Sequence, residues 1–421
     1  MKTTITDLTH DGRGVGKIDG KTVFVENVYP TEEVEIEITK DKKKFLEGKP
    51  LEVLKESKDR IDSICPDFYR CNGCQFCDYE YLAQIEFKKN RVINDFKKFA
   101  HIDLHDLKIH PMEDFYNYRN HVQLRVKNGE IGYIDKEVKK VFTPENCVIA
   151  PKTTQDLINI LKDYPNLNII NLVGIRENYK NEIMLILVTN DKDPLDISSL
   201  VEKLKDLKVT HIHQNINNNP RSHYGKEYIK LWGEGEFFEE ILRNKFILSP
   251  TSFFQVNRTQ TEKLYKKAIE NLNLNFEDKV LELYSGIGTI TMELGKLSKK
   301  VLGIEDSKTS VKDAKTNSKL NNLRNVKFLS GRVEENLENI DEDFTKVILD
   351  PPRSGANKIV LDKIINLKPE VISYISCNPA TLARDVEILV NEGNYKLEDI
   401  EVFDMFPLSS HVECVAKLGK K

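Results

Sequence analysis

The stretch VLELYSGIGTITMELG, residues 280–295, decides the fold. Residues 279–284 have the apolar composition of a buried strand, and Gly286-Ile287-Gly288 follows as a tight turn. The spacing of apolar residues after Gly288 predicts a helix. A strand, a glycine turn and a helix in this order predict one unit of a parallel, doubly wound α/β sheet with a ligand above the turn.

The sequence on both sides of this stretch repeats the same alternation. From about residue 246 onward, apolar runs alternate with segments of helical spacing, which is typical of a Rossmann-like domain. The further predicted strands are residues 300–304, 327–329 and 346–349, and the predicted helices are residues 259–271 and 311–320.

Glu305 stands where an adenosine-containing ligand needs a carboxylate. It ends the next predicted strand, about 20 residues after the glycine turn, where its oxygens can accept hydrogen bonds from two ribose hydroxyls. The helix after Gly288 would direct its positive end at the same ligand. No third glycine completes the dinucleotide fingerprint. The ligand is therefore a dinucleotide or S-adenosylmethionine, unless the turn only packs the helix on the sheet.

The segment KVILDPPRSG, residues 346–355, favours one of these two ligands, S-adenosylmethionine, over a dinucleotide. Asp350-Pro351-Pro352 follows an apolar strand, and such a motif is typical of methyltransferases that act on planar nitrogen or nucleobase substrates. The two prolines remove backbone donors and stiffen the loop, so that carbonyl oxygens face the site. A rigid loop without a chemical role is the alternative, but a dehydrogenase has no evident need for the motif.

ISCNPATLARD, residues 375–385, places Cys377 at the end of a predicted strand. Pro379 keeps Asn378 out of helical geometry, and a helix is expected to start near Ala380. A thiol just before a helix N-terminus is expected to have a lowered pKa and to act as a thiolate. A small apolar core residue is the alternative for a lone cysteine.

MFPLSSHVECVAKL, residues 405–418, contains a carboxylate in an alternating run. Val412, Cys414 and Ala416 are expected on one strand face, with Glu413 on the other face. Glu413 is therefore either a catalytic base or a solvated residue of an edge strand.

Cys65, Cys71 and Cys74 have the spacing of a metal site that still needs a fourth ligand. Cys77 could complete a set of four local thiolates, which would suit zinc. The chain has seven cysteines, and an odd number argues against a disulfide framework.

Two further domains are expected before residue 246. Residues 1–56 show short strands near residues 22–25, 33–38 and 51–53 with glycine turns, which predict a small oligonucleotide-binding type of barrel. Residues 57–245 predict a mixed α+β domain with a helix at residues 81–99 and strands at residues 183–189 and 209–214. Residues 246–421 form the predicted Rossmann-like domain.

Composition predicts a soluble globular protein. Of the 421 residues, 39% are hydrophobic and 31% charged, and no apolar run approaches the roughly 20 residues of a membrane span. The first residues contain no apolar signal segment, so a cytoplasmic location is expected. The net charge of −4 does not by itself indicate a nucleic-acid partner.

Taken together, these motifs resemble the RNA 5-methyluridine (uracil-C5) methyltransferase family. The resemblance is nearest to its 23S ribosomal RNA type, which has an N-terminal TRAM domain and an iron–sulfur cluster. It covers nearly the whole chain, and DPPRSG with SCNPATLARD is its most specific part. The other matching segments, in family order, are CPDFYRCNGC, YRNHVQL, SPTSFFQVN, LELYSGIGTITMELG, LGIEDS and MFPLSSHVECVAKL.

The resemblance implies a role for each matching residue. Cys377 would be the nucleophile and Glu413 the proton acceptor, with S-adenosylmethionine as methyl donor. The methyl-donor contacts would be Gln255, Tyr284, Glu305 and Asp350, although Asp350 could instead orient the target base. The ligands of a [4Fe–4S] cluster would be Cys65, Cys71, Cys74 and Cys147.

The sequence departs from the family pattern at the cysteines. Asn72-Gly73 stands where the family has Gly-Gly, and Cys77 is an additional cysteine that could replace Cys147 as a ligand. The resemblance implies an RNA substrate, with 23S rRNA favoured over tRNA, and a monomer is expected. The alternatives are a tRNA T-loop uridine methyltransferase, a redox iron–sulfur enzyme and a non-catalytic RNA-binding protein on the same scaffold.

Overall fold

The computed structural model describes residues 1–421, and the first six strands form one curled sheet. Its order is β1-β5-β6-β4-β3-β2, and its enclosed face packs Val23, Val34 and Ile36. The N–H of Thr6 donates to the carbonyl oxygen of Val15 (2.8 Å), which brings the first strand against the third. The small N-terminal barrel is thereby confirmed. Its strands are β1 (Lys2–Thr4), β2 (Asp7–Leu8), β3 (Gly14–Ile18), β4 (Lys21–Val25), β5 (Glu33–Asp41) and β6 (Phe45–Lys55).

A second sheet of seven strands lies in the middle of the chain, in the order β10-β9-β8-β11-β12-β13-β14. Helices α2 and α3 pack on one face through a core of aliphatic side chains. The elements in chain order are α1 (Tyr81–Phe99), β7 (Lys108–His110), β8 (His121–Lys127), β9 (Glu130–Ile134), β10 (Val141–Phe142), α2 (Thr154–Lys162), β11 (Ile170–Glu177), β12 (Ile183–Thr189), α3 (Ser198–Leu204), β13 (Val209–Ile216) and β14 (Glu227–Trp232). A hairpin of β15 (Phe238–Ile241) and β16 (Asn244–Ile247) follows.

The C-terminal part is the predicted α/β domain, a sheet of eight strands in the order β19-β18-β17-β20-β21-β23-β22-β7. Strands β17 to β21 are parallel to one another, and β23 runs antiparallel between β21 and β22. The elements are α4 (Arg258–Asn271), β17 (Lys279–Leu283), α5 (Thr289–Leu297), β18 (Lys300–Glu305), α6 (Lys308–Leu320), β19 (Val326–Ser330), α7 (Val333–Glu338), β20 (Lys346–Leu349), α8 (Lys358–Leu367), β21 (Val371–Ser376), α9 (Pro379–Asn391), β22 (Tyr395–Phe403) and β23 (Glu413–Lys420).

Helix α1 and strand β7 join this C-terminal sheet although they precede the central sheet in the chain. Strand β7 pairs with β22, and the side chains of Val92 and Phe96 enter the same core as α9. Lys88 is completely buried, and its ammonium bonds the Asp404 carboxylate and the Phe406 carbonyl oxygen. A buried charge is stable only beside its partner. Helix α1 therefore fixes the segment that leads into β23.

None of the nine α-helices combines the length and the apolar composition that a bilayer crossing requires.

Candidate active site

The carboxyl ends of the parallel strands meet at one edge of the C-terminal sheet, where such sheets bind ligands. The predicted site residues at or just beyond these strand ends are Tyr284 after β17, Glu305 at the end of β18, Asp350 after β20 and Cys377 after β21. Strand β23 runs in the opposite direction, so its first residue, Glu413, begins at this same edge. The topology thus gathers side chains that are far apart in the sequence.

Glu305 lies against the glycine turn, as the sequence predicts. One of its carboxylate oxygens accepts from the N–H of Gly286 (3.0 Å) and the other from the N–H of Ser307 (2.8 Å). Gly286 and Gly288 both have positive φ, and a Cβ at Gly286 would meet open space. The turn therefore leaves room above the strand end, and the carboxylate faces it. This arrangement fits an adenosine-containing ligand.

Gln255 reaches the same edge from the segment that precedes α4. Its side chain bonds the hydroxyl of Tyr265, which lies 3.4 Å from the hydroxyl of Thr289 at the start of α5. The Gln255 carbonyl oxygen accepts from the amide of Asn120 (3.1 Å). The central and C-terminal sheets are therefore joined at this residue.

Tyr284 adopts φ of +65°, a conformation that non-glycine residues rarely take and that is common near active sites. Its side chain lines a cavity of about 490 Å³ together with Pro352 and Arg384. The structure thus places it between the strand end and the proline loop.

The loop after Asp350 is fastened to the start of α9. The amide of Asn378 donates to the Arg353 carbonyl oxygen (3.0 Å), while its oxygen accepts from the N–H of Ala380 and caps the helix. Helix α9 begins at Pro379, one residue before the predicted start. These contacts fix the position of the loop after Asp350 relative to the loop that contains Cys377.

Cys377 and Glu413 face each other at the end of paired strands. Ser376 pairs with Cys414 across β21 and β23, and the next position in this register places Cys377 opposite Glu413. Glu413 is buried, with 5% of its surface exposed, in a strand that has neighbours on both sides. The interpretation of Glu413 as a solvated edge residue is therefore wrong. The predicted faces are confirmed, because Val412, Cys414 and Ala416 share one core.

Two of the carboxyl groups at this edge, those of Asp350 and Glu413, are difficult to ionise in the absence of a ligand. Burial raises the pKa of Asp350 to about 7. Burial, followed by the charge of Asp350, raises the pKa of Glu413 well above its ordinary value, while the Arg353 guanidinium opposes this shift. The site thus favours a positively charged ligand.

The expectation of a thiolate at Cys377 is wrong for the site without ligands. Burial, then the carboxylates of Glu413 and Asp350, raises the pKa of the thiol to about 11. The main physical reason is the burial of the sulfur, to which the two adjoining carboxylates add, whereas the first free N–H of α9 is already capped by Asn378.

We expect the alkylation of Cys377 by iodoacetamide to become about tenfold faster for each pH unit between pH 7 and 10, because only the thiolate reacts. Peptide mass spectrometry on protein quenched at timed intervals would follow this residue separately from the other cysteines. The Glu413→Gln variant should show a lower apparent pKa, since one of the carboxylates that raise it is gone. A rate that is flat over this pH range would contradict the buried, carboxylate-flanked thiol.

Three further side chains at this edge had no role in the sequence analysis. His411 lies 3.5 Å from the Arg353 guanidinium, and burial followed by the charges of Arg353 and Arg91 lowers its pKa to about 4. Arg91 donates from α1 to the Ser410 carbonyl oxygen (2.8 Å). Arg353 and His411 stand inside the quoted motifs, which is the signal that could have found them. Arg91 has no such signal, because only the fold brings α1 here.

The thiols of the predicted metal site line a separate cavity of about 450 Å³. It lies between the segment of residues 65–77 and the central sheet, and is lined by Cys65, Cys71, Cys74, Cys77 and Cys147. The Cys77 thiol bonds the sulfur of Cys65, a contact that lowers the pKa of Cys65 to about 7. Soft thiol ligands around one cavity fit an iron–sulfur cluster. No group of three or more cysteine, histidine or acidic side chains is arranged to hold a single metal ion.

The thiol cavity is linked directly to the loop that precedes Glu413. The N–H groups of Gln75 and Phe76 donate to the Leu408 carbonyl oxygen (3.0 and 3.1 Å), and the Gln75 side chain accepts from the N–H of Ser410 (3.3 Å). Cys77 and Leu408 pack in the same small core. The shape of this segment therefore determines where the loop begins.

Comparisons with known proteins agree with this geometry. A family model described as tRNA (Uracil-5-)-methyltransferase matches residues 80–421, and a TRAM domain model matches residues 2–51. Uncharacterised RNA methyltransferases of Oceanobacillus iheyensis and Clostridium acetobutylicum are 36% and 35% identical, each over 99% of this chain and 96% of the relative.

Among solved structures, the chain is similar to the Pyrococcus abyssi tRNA (uracil-54, C5)-methyltransferase in complex with S-adenosyl-L-homocysteine. The TM-score is 0.80 at 26% identity, over 99% of this chain and 100% of that one. S-adenosyl-L-homocysteine is the demethylated form of S-adenosylmethionine and contains adenosine. The chain therefore belongs to the tRNA (uracil-5-)-methyltransferase family, with a TRAM domain at its N-terminus, and is an S-adenosylmethionine-dependent RNA (uracil-C5)-methyltransferase.

Proposed function

We propose that this enzyme methylates carbon 5 of a uridine in 23S ribosomal RNA through a covalent bond between Cys377 and carbon 6 of the base. The observation that supports it most strongly is the position of Cys377 opposite Glu413, beside Asp350, at the ligand-binding edge of the sheet. Carbon 5 of uracil is too weak a nucleophile to take a methyl group directly. A covalent intermediate divides this difficult step into easier ones.

In the proposed reaction the thiol of Cys377 first loses its proton to solvent, which its half-buried position permits. The sulfur then bonds to carbon 6, and the electrons of the carbon 5–carbon 6 double bond move toward the carbonyl at carbon 4, giving an enolate. S-adenosylmethionine would supply the methyl group: carbon 5 bonds to it as the bond to the positively charged sulfur breaks, and neutral S-adenosylhomocysteine is the leaving group. Glu413 removes the remaining proton from carbon 5, the double bond forms again and the thiolate leaves.

The burial of Glu413 suits this role. A carboxylate whose pKa is raised by burial is a stronger base once it is ionised. The positive charge of the methyl donor would favour that ionised form. We propose Gln255, Tyr284, Glu305 and Asp350 as the residues that bind the donor, with orientation of the target base as the alternative role of Asp350.

The target base must also leave its stack to reach Cys377, which costs a few kcal/mol. Phe254 is buried in a core and cannot stack on it. Phe253 is 69% exposed and can offer its ring to the flipped uracil.

The choice of 23S rRNA rests on the N-terminal barrel together with the cysteine set, the combination through which the chain resembles the ribosomal RNA type. A second candidate substrate is the T-loop uridine of tRNA. The Pyrococcus abyssi enzyme, whose name gives uracil 54 of tRNA as its target, matches the chain over its whole length. Because that match includes the barrel, the barrel alone does not distinguish the two substrates.

The identity of the substrate RNA can be tested with purified enzyme. Unmodified transcripts of 23S rRNA and tRNA are incubated with the enzyme and methyl-labelled S-adenosylmethionine. Nuclease digestion and chromatography should recover the label as 5-methyluridine from 23S rRNA. Label only in tRNA would assign the T-loop instead. Label in neither RNA, from enzyme that binds the methyl donor, would contradict both assignments.

We also propose that the thiol cavity holds a [4Fe–4S] cluster through Cys65, Cys71, Cys74 and Cys147. What supports this is that five cysteine thiols line one cavity. Such a cluster takes four thiolate ligands. Methyl transfer moves no net electrons, so its proposed role is to hold the segment that bonds Leu408.

Serine variants of the two competing cysteines are expected to differ in iron content. Cys147→Ser should lose most of its iron and the visible absorption of the cluster, because one ligand is missing. Cys77→Ser should retain about four iron atoms per chain. Both measurements would use protein purified without oxygen. Iron lost from Cys77→Ser and kept by Cys147→Ser would make Cys77 the fourth ligand.

A further inference from the structure

A second cavity, of about 680 Å³, opens on the central sheet beside the thiol cavity. Arg125, Ile134 and His223 line both cavities, so the two cavities are neighbours. The second cavity has no carboxylate in its lining, although the chain has a net charge of −4. Its side chains are instead cationic, amide-bearing or aliphatic, together with the hydroxyl of Ser222 and the imidazole of His223. We call it the asparagine cavity, after Asn171, Asn190, Asn217, Asn218 and Asn219 in its wall.

The alternation of β8 explains why cations line this cavity. Val122, Leu124 and Val126 are buried in the core on the side of α2 and α3. Arg125 and Lys127 therefore lie on the opposite face of the strand. Two positive charges on one face need a partner, and no carboxylate is within ion-pair distance of either. Nearby Arg70, by contrast, pairs with Asp135 (2.8 Å).

Lys139 adds a third cation from the turn between β9 and β10, and it also has no acidic partner. It is exposed, as is Lys127. Neutralising charge must therefore come from solvent ions or from a bound polyanion.

The loop of residues 217–223 forms the opposite wall and is held by its own amides. The Asn217 amide donates to the Ser222 carbonyl oxygen (2.7 Å), and its oxygen accepts from the N–H of Asn219 (2.9 Å). Asn218 donates to the carbonyl oxygen of Asn190 at the end of β12 (3.2 Å). The wall is therefore ordered before any ligand binds, and a pre-ordered wall loses little entropy on binding.

Strand β8 connects this cavity to the methyl-transfer site. The N–H of Asn120, just before the strand, donates to the Val256 carbonyl oxygen (2.8 Å), beside Gln255. The strand then runs seven residues to Lys127, a distance of roughly 20 Å. A nucleic-acid chain with one base at Cys377 could extend along this face over several nucleotides.

We propose that the asparagine cavity binds the sugar–phosphate backbone of the single-stranded RNA that flanks the target uridine. Arg125, Lys127 and Lys139 would contact phosphates, and the asparagine amides would contact phosphate, sugar or base edges. The flanking position rests on the proposed function, whereas the binding of single-stranded RNA by the cavity does not.

The test compares two double variants of the full-length, anaerobically purified enzyme. Lys127→Gln/Lys139→Gln removes two charges from the cavity. Lys162→Gln/Lys203→Gln removes two exposed, unpaired lysines from α2 and α3, on the other side of the sheet. The probe is a fluorescein-labelled oligouridylate of about 12 nucleotides, a length within the range that single-strand sites cover. Its Kd is measured by anisotropy at several salt concentrations.

The cavity variant should bind the probe about tenfold more weakly at low salt. Its slope of log Kd against log salt should fall by about 1.4, since each phosphate contact to single-stranded nucleic acid contributes about 0.7. The control variant should match the unmodified enzyme. An equal loss in both variants, or a loss in neither, would overturn the proposal.

A parallel reaction separates this inference from the proposed function. A trinucleotide with 5-fluorouridine at its middle position extends only one nucleotide to either side of Cys377, whereas β8 alone runs roughly 20 Å to Lys127. Both double variants should form the Cys377 adduct with it as fast as the unmodified enzyme. Absence of any adduct, with the cavity-specific binding loss intact, would contradict the proposed chemistry and leave the RNA cavity standing.

Discussion

The Cys377→Ala variant is expected to lose methylation by at least about 10⁴-fold, as is typical when a catalytic nucleophile is removed. Without the sulfur, carbon 6 of the base receives no electron pair and carbon 5 stays unreactive. Transfer of labelled methyl groups to substrate RNA measures the loss. The same variant should form no covalent complex with RNA.

Two controls separate this chemistry from damage to the fold. Cys377 is half-buried at a strand end, so truncation to alanine leaves little unfilled space in the core. Binding of S-adenosylmethionine by the variant, measured by calorimetry, should remain within about threefold of the unmodified enzyme. The Cys377→Ser variant keeps the shape of the side chain and should be almost as inactive. Methylation retained by either variant would contradict the nucleophile assignment.

The Glu413→Gln variant is expected to fail at a different step. It should still attack and methylate the base, but it cannot remove the proton from carbon 5, so the enzyme stays attached to its RNA. Turnover should fall by about 10²–10⁴-fold, the usual contribution of a general base. A protein–RNA band that survives denaturing electrophoresis, with natural uridine and labelled methyl donor, would show the trapped species.

The double variant Cys377→Ala/Glu413→Gln is the matched control for this band. It lacks the sulfur that forms the bond, so no complex should appear. Glutamine has nearly the same shape as glutamate, which keeps the buried position filled. A Glu413→Gln enzyme that turns over normally would remove Glu413 from the proposed mechanism.

The sequence predicted the ligand-binding edge because strand ends in α/β sheets obey simple rules. Strands that alternate with helices are parallel, so Glu305, Asp350 and Cys377 had to share one edge. Helix Tyr81–Phe99 and strands Ile183–Thr189 and Lys346–Leu349 are confirmed to the residue. Both strands are uninterrupted buried runs, and polar residues or the Asp350-Pro351 turn mark their ends.

What could not be predicted depends on contacts between distant segments. Nothing in the local pattern indicates that Lys88 of α1 pairs with Asp404, or that β7 adds to the edge of the C-terminal sheet. The pKa of Cys377 was mispredicted for the same reason. Local sequence shows the helix N-terminus, whereas the burial of the thiol and its contact with the carboxylates of Glu413 and Asp350 arise only in the folded chain.

The thiol cavity also combines features that the local sequence predicts with features that only the fold reveals. Cys65, Cys71 and Cys74 are predicted from their spacing, but the burial of Cys77 between Phe68 and Leu408 is visible only in the fold. So is the connection from this segment to the loop before Glu413. The asparagine cavity is likewise formed by five segments that meet only across the sheet.

The measurement that tests the covalent mechanism most directly uses substrate RNA in which uridine is replaced by 5-fluorouridine. Fluorine on carbon 5 cannot leave as a proton, so the intermediate should accumulate. Incubated with S-adenosylmethionine, the unmodified enzyme should give a denaturation-resistant protein–RNA band, and digestion should recover Cys377 joined to one nucleotide. A band that needs the methyl donor and is absent in Cys377→Ala is the predicted result. Methylation of ordinary RNA by the same preparation without any such band would contradict the covalent mechanism.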